Sequence, residues 1–320
     1  MSDLDLIIIG AGPAGLTAAQ YGARANLKVL VIEQLSVGGQ ALIIDVLENY
    51  PGNTALIDEA GNEKAPPRSG YEFAMDLHRQ AESFGASFLF GAVNSVKKEN
   101  DCFVVGITDG TKHKTSAVII ATGAKPRRLG IPGESEFSGR GVSYCATCDG
   151  NFFKNKKIFV IGGGDAACDE ARYLSKLTKT VVIVHRRDEF RAQKALIKRT
   201  LENPNIEVLL NTVIKEIKGE QKVSAVVLEN KKTGEISEEC ASAVFVFAGT
   251  VPQSSIAKDL NAALDEDGYI ITDKKMSTNI PGLYAAGDVR SGAFRQVVTA
   301  AADGAAAAHY AAGYIDELKS

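Results

Sequence analysis

Short apolar runs alternate along the chain with segments in which small and apolar residues recur at helical spacing. The first such set predicts a strand over Leu6–Ile9, an alanine-rich helix over about Pro13–Ala25 and a second strand over Val29–Ile32. Two apolar strands joined by a helix are typical of a βαβ unit, which builds a parallel sheet with a helix on its face.

The same order of elements returns in the middle of the chain. The pattern predicts a strand over Lys157–Ile161, a helix over about Asp165–Leu177 and a strand over Val181–Val184. Two βαβ units, each with a glycine-rich turn after its first strand, indicate two nucleotide-type ligands. The chain is therefore unlike a dehydrogenase that binds one cofactor.

The remaining pattern adds short strands, two helices and one long loop. The stretch Asn53–Arg68 carries acidic residues and prolines and is predicted to be a surface loop. An alanine-rich helix is expected from about Phe294 to Tyr314, with small residues that favour close packing against a sheet or a cofactor. The other predicted elements are a helix over Tyr71–Phe84 and strands over Ser87–Phe90, Cys102–Ile107, Ala117–Ala121, Val223–Leu228 and Ala243–Phe247.

Length and charge narrow the class of protein. A chain of 320 residues is expected to form about two domains. The net charge of −3 comes without a basic stripe, which argues against nucleic acids and acidic membrane surfaces as partners. The N-terminus is acidic and leads straight into a strand, and no apolar run is long enough to span a bilayer. We therefore expect a cytoplasmic protein that is not attached to a membrane.

The five cysteines form an odd and sparse set, unlike the disulfide framework of a small secreted protein. Most are expected to be reduced thiols, with any disulfide being one that works in a reaction. Cys102 and Cys240 are predicted to be buried and inert, and Cys168 is predicted to pack inside a helix.

The first glycine motif is Gly10, Gly12 and Gly15 in the spacing G-x-G-x-x-G, directly after a strand and at the start of a helix. These glycines allow a tight turn, close approach of a pyrophosphate and helix packing on the strand. Glu33 ends the next strand, where an acid binds a ribose 2′-hydroxyl. A plain glycine turn with a surface acid is the alternative, and the combined context favours a dinucleotide site.

The second motif, Gly162-Gly163-Gly164-Asp165-Ala166-Ala167, has the spacing G-x-G-x-x-A. The strand that follows leads into the basic stretch His185–Arg191 instead of an acid. Arginine forks match phosphate oxygens, so this site is predicted to accept the 2′-phosphate of NADPH and to disfavour NADH. The alternative is a solvated helix start, which is disfavoured because cations oppose the dipole at a helix N-terminus.

A pair of cysteines, Cys145 and Cys148, lies between the two glycine motifs and is followed by Asp149. Two intervening residues allow a small-loop disulfide, and such pairs often contain a thiol of lowered pKa. Asp149 is a candidate proton donor or acceptor. Half of a zinc site is the alternative, but the sequence has no second cysteine pair and its histidines are scattered, so no metal is expected.

With these motifs in this order, nearly the whole chain resembles the low-molecular-weight thioredoxin reductases of bacterial and fungal type, class II of the pyridine nucleotide-disulfide oxidoreductases. The matching motifs are Gly10–Gly15, Gly38–Gln40, Glu48–Gly52, Ala121–Gly123, Cys145–Asp149, Gly162–Ala167, His185–Arg191, Gly282–Val289 and Arg295–Val297.

The resemblance implies an α/β fold of two Rossmann-like nucleotide-binding domains of the three-layer ββα type. A discontinuous FAD domain would comprise residues 1–125 and 251–320, and the inserted NADPH domain, with the redox cysteines, residues 126–250. Cofactor-binding residues in the FAD domain would be Gly10, Gly12, Pro13, Ala14, Gly15, Glu33, Gly39, Gln40, Asn49, Val93, Ala121, Thr122, Gly123, Gly287, Asp288, Arg295, Gln296 and Val297. Those in the NADPH domain would be Gly162, Gly164, Asp165, Ala166, His185, Arg186, Arg187 and Arg191.

The implied activity is NADPH-dependent reduction of thioredoxin disulfide by a homodimeric flavoprotein. Electrons would pass from NADPH to FAD, then to the Cys145–Cys148 disulfide and on to thioredoxin, with Cys148 as the sulfur nearer the flavin. The NADPH domain of this family rotates relative to the FAD domain. The hinge strands would lie near Lys125–Arg127 and Ala248–Val251.

Other flavoproteins of similar build remain alternatives. Peroxide-reducing systems commonly carry an extra N-terminal domain, ferredoxin-type NADP reductases lack the cysteine pair, and the larger glutathione-reductase type places its cysteines soon after the first acid. A redox-sensing or scaffold flavoprotein without turnover is an alternative from another class. The chain also has extra residues between Gly52 and Ser69, read as a tolerated insertion or as a site of altered partner docking.

Overall fold

The computed structural model describes residues 4–44, 46–47, 49–57, 63–65 and 67–320; for Ile57, Glu63, Lys64 and Cys148 only the backbone belongs to this described part. The strands are β1 (Leu4–Ile9), β2 (Val29–Glu33), β3 (Leu56–Ile57), β4 (Glu63–Ala65), β5 (Ser87–Phe90), β6 (Val93–Glu99), β7 (Cys102–Ile107), β8 (Lys112–Ile120), β9 (Ala124–Pro126), β10 (Val142–Ser143), β11 (Ile158–Ile161), β12 (Val181–Val184), β13 (Ile206–Leu209), β14 (Thr212–Gly219), β15 (Val223–Asn230), β16 (Ile236–Cys240), β17 (Ala243–Val246), β18 (Thr250–Pro252) and β19 (Leu283–Ala285). The α-helices are α1 (Pro13–Arg24), α2 (Gly70–Ser83), α3 (Ala146–Asp149), α4 (Asp165–Leu174), α5 (Lys194–Leu201), α6 (Ser255–Asp259) and α7 (Val297–Lys319), and short 3-10 helices span Gly39–Ile43, Gly150–Phe153 and Gly287–Val289.

The chain divides into two compact units. The first consists of Met1–Lys125 and Val251–Ser320, and the second of Pro126–Thr250. The chain thus passes from one unit to the other at β9 and again at β18, and these two short strands pair with each other.

The first unit is built on a sheet with the strand order β5-β2-β1-β8-β7-β6, to which β19 adds beside β8. Strand β1 runs parallel to both neighbours, and its residues Leu6–Ile9 are buried. Burial on both faces explains why Leu6–Ile9 are all apolar and show no alternation. Helices α1 and α7 pack on one face, and an apolar cluster that includes Phe103 and Ile270 covers the other.

The second unit has a parallel sheet with the order β10-β17-β11-β12-β13 and a separate antiparallel sheet, β14-β15-β16. Its core has two layers. Phe159 packs with residues of β14 and β15 on one side, and Phe245 packs with residues of α3 and α4 on the other. The predicted α/β class with Rossmann-like parallel sheets is therefore confirmed.

The segment predicted as a surface loop, Asn53–Arg68, differs from the expectation. It contains β3 and β4, which pair antiparallel. Asn53 is buried and joins both ends of the segment, because its side-chain amide donates to the carbonyls of Leu47 (2.7 Å) and Arg68 (3.0 Å). A composition rich in proline and acidic residues indicates a surface position. It does not reveal that the buried Asn53 side chain ties the start of the segment to its end.

The free cysteines fit the expectations in part. Cys168 is fully buried and packs against Ala192 and Leu196, as predicted. Cys102 is half-buried, and Cys240 is exposed, so the prediction of a buried Cys240 is wrong. Cys240 ends β16, an edge strand whose other side chains are also exposed or half-buried.

Within the described residues, no helix combines the length and apolar character needed to cross a membrane.

Candidate functional site

The turn between β1 and α1 requires its outer glycines. Gly10 has a φ of 104°, and a Cβ there would lie 2.5 Å from the carbonyl oxygen of Ala121. A Cβ on Gly15 would lie 1.9 Å from the carbonyl oxygen of Gly10. Gly12 differs, because a Cβ there would meet nothing within 4 Å. The open space therefore lies at the N-terminus of α1, where helix amides and dipole favour a phosphate group.

Glu33 lies beside this turn, as its position in the sequence predicts. Its carboxylate accepts hydrogen bonds from the backbone N–H groups of Ala11 and Leu35, each at 2.8 Å. The backbone N–H of Gly91 in turn donates to the Glu33 carbonyl at 2.9 Å, which brings the chain just before Val93 next to the same turn. The acid is thus held by main-chain groups close to the open end of α1.

Four further predicted residues make contacts within the first unit, and Gly39 among them lies against the glycine turn. A Cβ on Gly39 would lie 3.1 Å from the Cα of Gly12, so the chain at Gly39 runs against the glycine turn. The side-chain amide of Gln40 donates to the carbonyl of Ala124. Asn49 and Gln296 are hydrogen-bonded through their side chains at 2.9 Å.

The segment before α7 supplies an acid and a cation. Gly287 has a φ of 75°, and a Cβ there would lie 2.9 Å from the Cβ of Ala14, which places Asp288 beside the start of α1. Burial raises the pKa of Asp288, while the nearby Arg295 acts in the opposite direction. The Arg295 guanidinium lies 4.4 Å from the centre of the Tyr269 ring. Val297 begins α7 directly after these residues.

The sequence did not reveal two residues that hold these segments. Gln253 fixes the chain at Thr122 and Gly123, because its side chain donates to the Thr122 carbonyl (2.7 Å) and its N–H donates to the Gly123 carbonyl (2.9 Å). Asp303 receives a bidentate pair of hydrogen bonds from Arg290 at 2.9 and 3.0 Å. A single acid within the alanine run of α7 was the available signal for Asp303.

The second glycine turn resembles the first, because one glycine is required by close backbone contact and another faces open space. Gly162 has a φ of 148°, and a Cβ there would lie 2.5 Å from the carbonyl oxygen of Phe247. A Cβ on Gly163 would lie 2.3 Å from the His185 ring, so the histidine packs directly on the turn. Gly164 has open space around its Cβ direction. The free volume again lies at a helix N-terminus, that of α4.

The basic stretch after β12 folds against this turn. His185 is buried, which lowers its pKa, and its Nε2 lies 3.0 Å from the Glu189 carbonyl oxygen. The N–H of Arg191 donates to the Gly163 carbonyl at 2.6 Å. The side chains of Arg186, Arg187 and Arg191 are all exposed.

The local conformation of this stretch corrects one sequence argument. Residues 185–191 form a loop, and α5 begins only at Lys194. The arginines therefore do not stand at a helix N-terminus, and the dipole argument against a structural role does not apply to them. What supports an anion site is that the loop carrying these exposed arginines is hydrogen-bonded to Gly163 through the Arg191 N–H. Asp165, at the start of α4, accepts hydrogen bonds from the N–H (2.8 Å) and side chain (2.9 Å) of Gln193, while Ala166 is exposed.

The Cys145–Asp149 segment lies in the same unit as this second turn. Cys145 is disulfide-bonded and immediately precedes α3. Its backbone is fixed by Ser143, whose hydroxyl accepts from the Cys145 N–H and donates to the Cys145 carbonyl, each at 3.1 Å. The N–H of Asp149 donates to the Cys145 carbonyl at 3.3 Å. The side chain of Cys148 is outside the described part of the structure.

Glu170 of α4 is a second acid that the sequence did not single out. One of its carboxylate oxygens is buried without a hydrogen-bond partner in the described structure, and burial raises its pKa to about 7. Ala146 of α3 packs in one cluster with Ala167 and Ala171 of α4. Glu170 lies between Ala167 and Ala171 in the sequence, on the helix that packs against Ala146 next to Cys145.

The arrangement suits two dinucleotides and one dithiol. Each glycine turn leaves room at a helix N-terminus, with an acid beside the first turn and arginines beside the second. An acid accepts from ribose hydroxyls, whereas arginines bind an added phosphate. Across the described ranges, no cluster of three or more histidine, cysteine or acidic residues is placed to hold a metal ion.

Comparison with known proteins gives consistent matches. A family model for pyridine nucleotide-disulphide oxidoreductases matches residues 4–304. A thioredoxin reductase of Treponema pallidum (strain Nichols) is 54% identical over 320 residues, covering 100% of this chain and 99% of that protein. One of Peptoclostridium litorale is 45% identical, covering 98% of each. The crystal structure of Lactococcus lactis thioredoxin reductase is 42% identical with a TM-score of 0.91, covering 98% of this chain and 100% of that one.

Proposed function

The chain belongs to the pyridine nucleotide-disulphide oxidoreductase family, and from that premise we propose that it is an NADPH-dependent thioredoxin-disulfide reductase that contains FAD. The observation that carries the proposal is the disulfide at Cys145, in the same unit as a glycine turn flanked by arginines. Disulfides open and re-form by thiolate attack through a mixed disulfide, so this disulfide can take part in exchange with another protein.

The first unit is proposed to hold FAD. Its pyrophosphate would lie at the open Gly12 end of α1, and Glu33 would accept from the adenosine ribose hydroxyls. Asn49, Asp288 and the Arg295–Val297 segment would surround the rest of the cofactor. When bound, FAD supplies a two-electron carrier between a nicotinamide and a disulfide.

The second unit is proposed to bind NADPH at the Gly162–Ala167 turn. Arg186, Arg187 and Arg191 would contact the 2′-phosphate, which NADH lacks. His185 would support this site indirectly. Its buried ring fills the space against Gly163 and fixes the loop that carries the arginines. A neutral histidine there avoids an additional buried charge, in line with its lowered pKa.

Cys145 and Cys148 are proposed to carry out the exchange with the protein substrate. The thiolate of one cysteine attacks the thioredoxin disulfide and forms a mixed disulfide, releasing one thioredoxin thiolate. The other cysteine then displaces the second thioredoxin sulfur, so that the Cys145–Cys148 disulfide is re-formed and thioredoxin leaves with two thiols. Asp149 is proposed to donate and accept the protons that these thiolates exchange.

The proposed cycle requires motion. Nicotinamide and dithiol would both be carried by residues 126–250, yet both have to reach one flavin held by the other unit. We propose that the second unit rotates about β9 and β18, the two strands at which the chain crosses between units. We further propose a homodimer that acts in the cytoplasm.

A disulfide-dye assay tests this function. Purified protein is given NADPH or NADH, with and without thioredoxin, and dye reduction is followed. Dye reduction that depends on thioredoxin and is faster with NADPH is the expected result. A yellow protein inert towards NADPH, or equal rates with NADH, would contradict the proposal.

A further inference from the structure

A buried carboxylate, Glu134, lies at the centre of a hydrogen-bond cluster in the second unit. Its side chain is 1% exposed. One oxygen accepts from the N–H of Leu129 at 2.8 Å, and the other accepts from the N–H of Gly130 at 2.7 Å. A charge buried to this extent is tolerated only when its oxygens are fully hydrogen-bonded, and here two backbone donors bind it.

The third donor to this carboxylate comes from the redox segment. The hydroxyl of Tyr144 donates to Glu134 at 2.7 Å. Burial, reinforced by the bond to the carboxylate, raises the pKa of Tyr144 to about 12, so the phenol keeps its proton at neutral pH. Hydrogen bonds to a charged acceptor are stronger than those between neutral groups.

Tyr144 is the residue immediately before Cys145, and Leu129–Gly130 lies a few residues after β9. The carboxylate thus joins the chain that enters the second unit to the backbone that carries the redox sulfur. Ser143 clamps the Cys145 backbone on the same side, as described above. Hydrogen bonds therefore fix both the side chain of Tyr144 and the backbone of the adjacent Cys145.

We propose that Glu134, acting through the Tyr144 hydroxyl, is a positioning residue that holds the Cys145 segment in the geometry of the disulfide and so sets the disulfide–dithiol equilibrium of this enzyme. The inference rests on the proposed redox role of Cys145. It assigns to Glu134 and Tyr144 no contact with substrate or cofactor.

The physical consequence follows from chain entropy. In the dithiol form, the two sulfurs are no longer joined, and the segment before Cys145 gains freedom unless another contact restrains it. The Glu134–Tyr144 bond supplies that restraint. Removing it increases the entropy of the dithiol form more than that of the disulfide form, because the disulfide already limits the segment. The enzyme disulfide then becomes easier to reduce.

The test is the equilibrium of the holoenzyme with a glutathione buffer. In this reaction, the enzyme disulfide and two glutathione molecules yield the enzyme dithiol and one glutathione disulfide, so electrons and protons balance. Samples are quenched in acid and alkylated, and the peptide that carries Cys145 and Cys148 is quantified by mass spectrometry. The readout does not depend on NADPH.

Tyr144→Phe is the main variant, because it removes the hydroxyl and keeps the ring. We expect its equilibrium constant to shift about tenfold towards the dithiol, which corresponds to roughly 30 mV. Glu134→Gln should shift it in the same direction, since an amide cannot accept from both backbone donors. If that second variant folds poorly, Tyr144→Phe alone decides the question.

Tyr284→Phe is the matched control. Tyr284 also has a pKa raised to about 12, chiefly by burial, and its hydroxyl donates to the Tyr310 carbonyl at 3.1 Å in the first unit. We expect this variant to lose stability without a shift in the glutathione equilibrium. An unchanged equilibrium in Tyr144→Phe, or an equal shift in both tyrosine variants, would overturn the proposal.

The wild-type enzyme separates this inference from the proposed function. If NADPH fails to reduce the Cys145 disulfide in the wild type, the proposed function is wrong. If NADPH reduces it and the tyrosine variants behave alike in glutathione, only the positioning role is wrong.

Discussion

At the scale of single residues, charge distinguishes the two glycine turns. Glu33 is held against the first turn by backbone N–H groups, whereas the loop that bonds to the second turn carries three exposed arginines. The residue types and their spacing could be predicted from the sequence. How these residues are held in place could not be predicted. His185 packs on Gly163, which is distant in the sequence, and the loop conformation of residues 185–191 has no simple sequence signature.

Alanine at Arg186, Arg187 or Arg191 should selectively weaken binding of NADPH. Loss of one hydrogen bond to a charged phosphate costs roughly 1.5–3 kcal/mol, so KM for NADPH should rise about tenfold or more while KM for NADH changes little. Steady-state kinetics with both nucleotides measure the difference, and Arg199→Ala in α5 is the control. An equal loss with NADH would show that the arginines do not contact the 2′-phosphate.

Glu170 predicts a dependence of stability on pH. Burial raises its folded pKa to about 7 from an ordinary value of 4.5. Between these two values the folded state binds more protons than the unfolded state, so stability falls as pH rises through this window. The carboxylate penalty is then fully present above about pH 7, and it is absent well below pH 4.5.

Glu170→Gln should remove this penalty. We expect the variant to gain on the order of 2 kcal/mol over the wild type in its free energy of unfolding at pH 8, relative to its gain at pH 5. Denaturant unfolding at both pH values measures it. Glu207→Gln, an exposed acid in β13 of the same unit, serves as the control. A gain that is the same at both pH values would contradict a buried, titrating Glu170.

At the scale of elements, the packing of α7 on α1 determines how the first turn is held. A Cβ on Gly304 would lie 2.0 Å from the Ala14 carbonyl oxygen, so the two helices approach to backbone contact at this point. The alanine-rich composition predicted close packing of the last helix. It indicated a sheet or a cofactor as the partner and did not reveal α1, because Gly304 and Ala14 are brought together only by the tertiary fold.

Gly304→Ala should therefore destabilise the first unit. Because the clash is with the Ala14 carbonyl oxygen, a backbone atom, the helices have to separate. Overpacking of this kind costs about 1–3 kcal/mol. Gly313→Ala in the same helix is the matched control: a Cβ there meets nothing within 4 Å, and alanine favours a helix by about 0.5–1 kcal/mol. Thermal unfolding should move in opposite directions for the two variants. Equal shifts would contradict the observed packing.

Element bounds show the same limit of sequence reasoning. The strand predicted at Ala117–Ala121 is the end of the longer β8, whose first residues pair with β7 and whose last residues pair with β19. Polar positions such as Lys112 and Lys114 concealed its start, because their side chains at this end of the strand are exposed to solvent. Where the strand is buried on both faces, apolar runs predicted it closely.

At the scale of the whole molecule, the resemblance to low-molecular-weight thioredoxin reductases is confirmed by relatives that match nearly all of the chain. The two units differ in how they are built from the sequence. Residues 126–250 are continuous and have their own apolar core, whereas the first unit needs β19 and α7 from the C-terminal part of the chain.

This difference predicts unequal behaviour of fragments. Residues 126–250 expressed alone should unfold cooperatively and bind NADPH without flavin, because their core and second glycine turn are complete. Residues 1–125 alone should fail to fold, since α1 loses its packing against α7. Circular dichroism during heating and calorimetric titration with NADPH measure both properties. A fragment of residues 126–250 without a cooperative transition would contradict two self-contained units.

The central claim is that electrons from NADPH reach thioredoxin only through Cys145 and Cys148. It is tested most directly by thioredoxin reduction with Cys145→Ser and Cys148→Ser proteins whose FAD content equals that of the wild type. The account predicts that both variants lose thioredoxin reduction while NADPH still reduces an electron acceptor such as ferricyanide. Full thioredoxin reduction by the Cys148→Ser protein would contradict it.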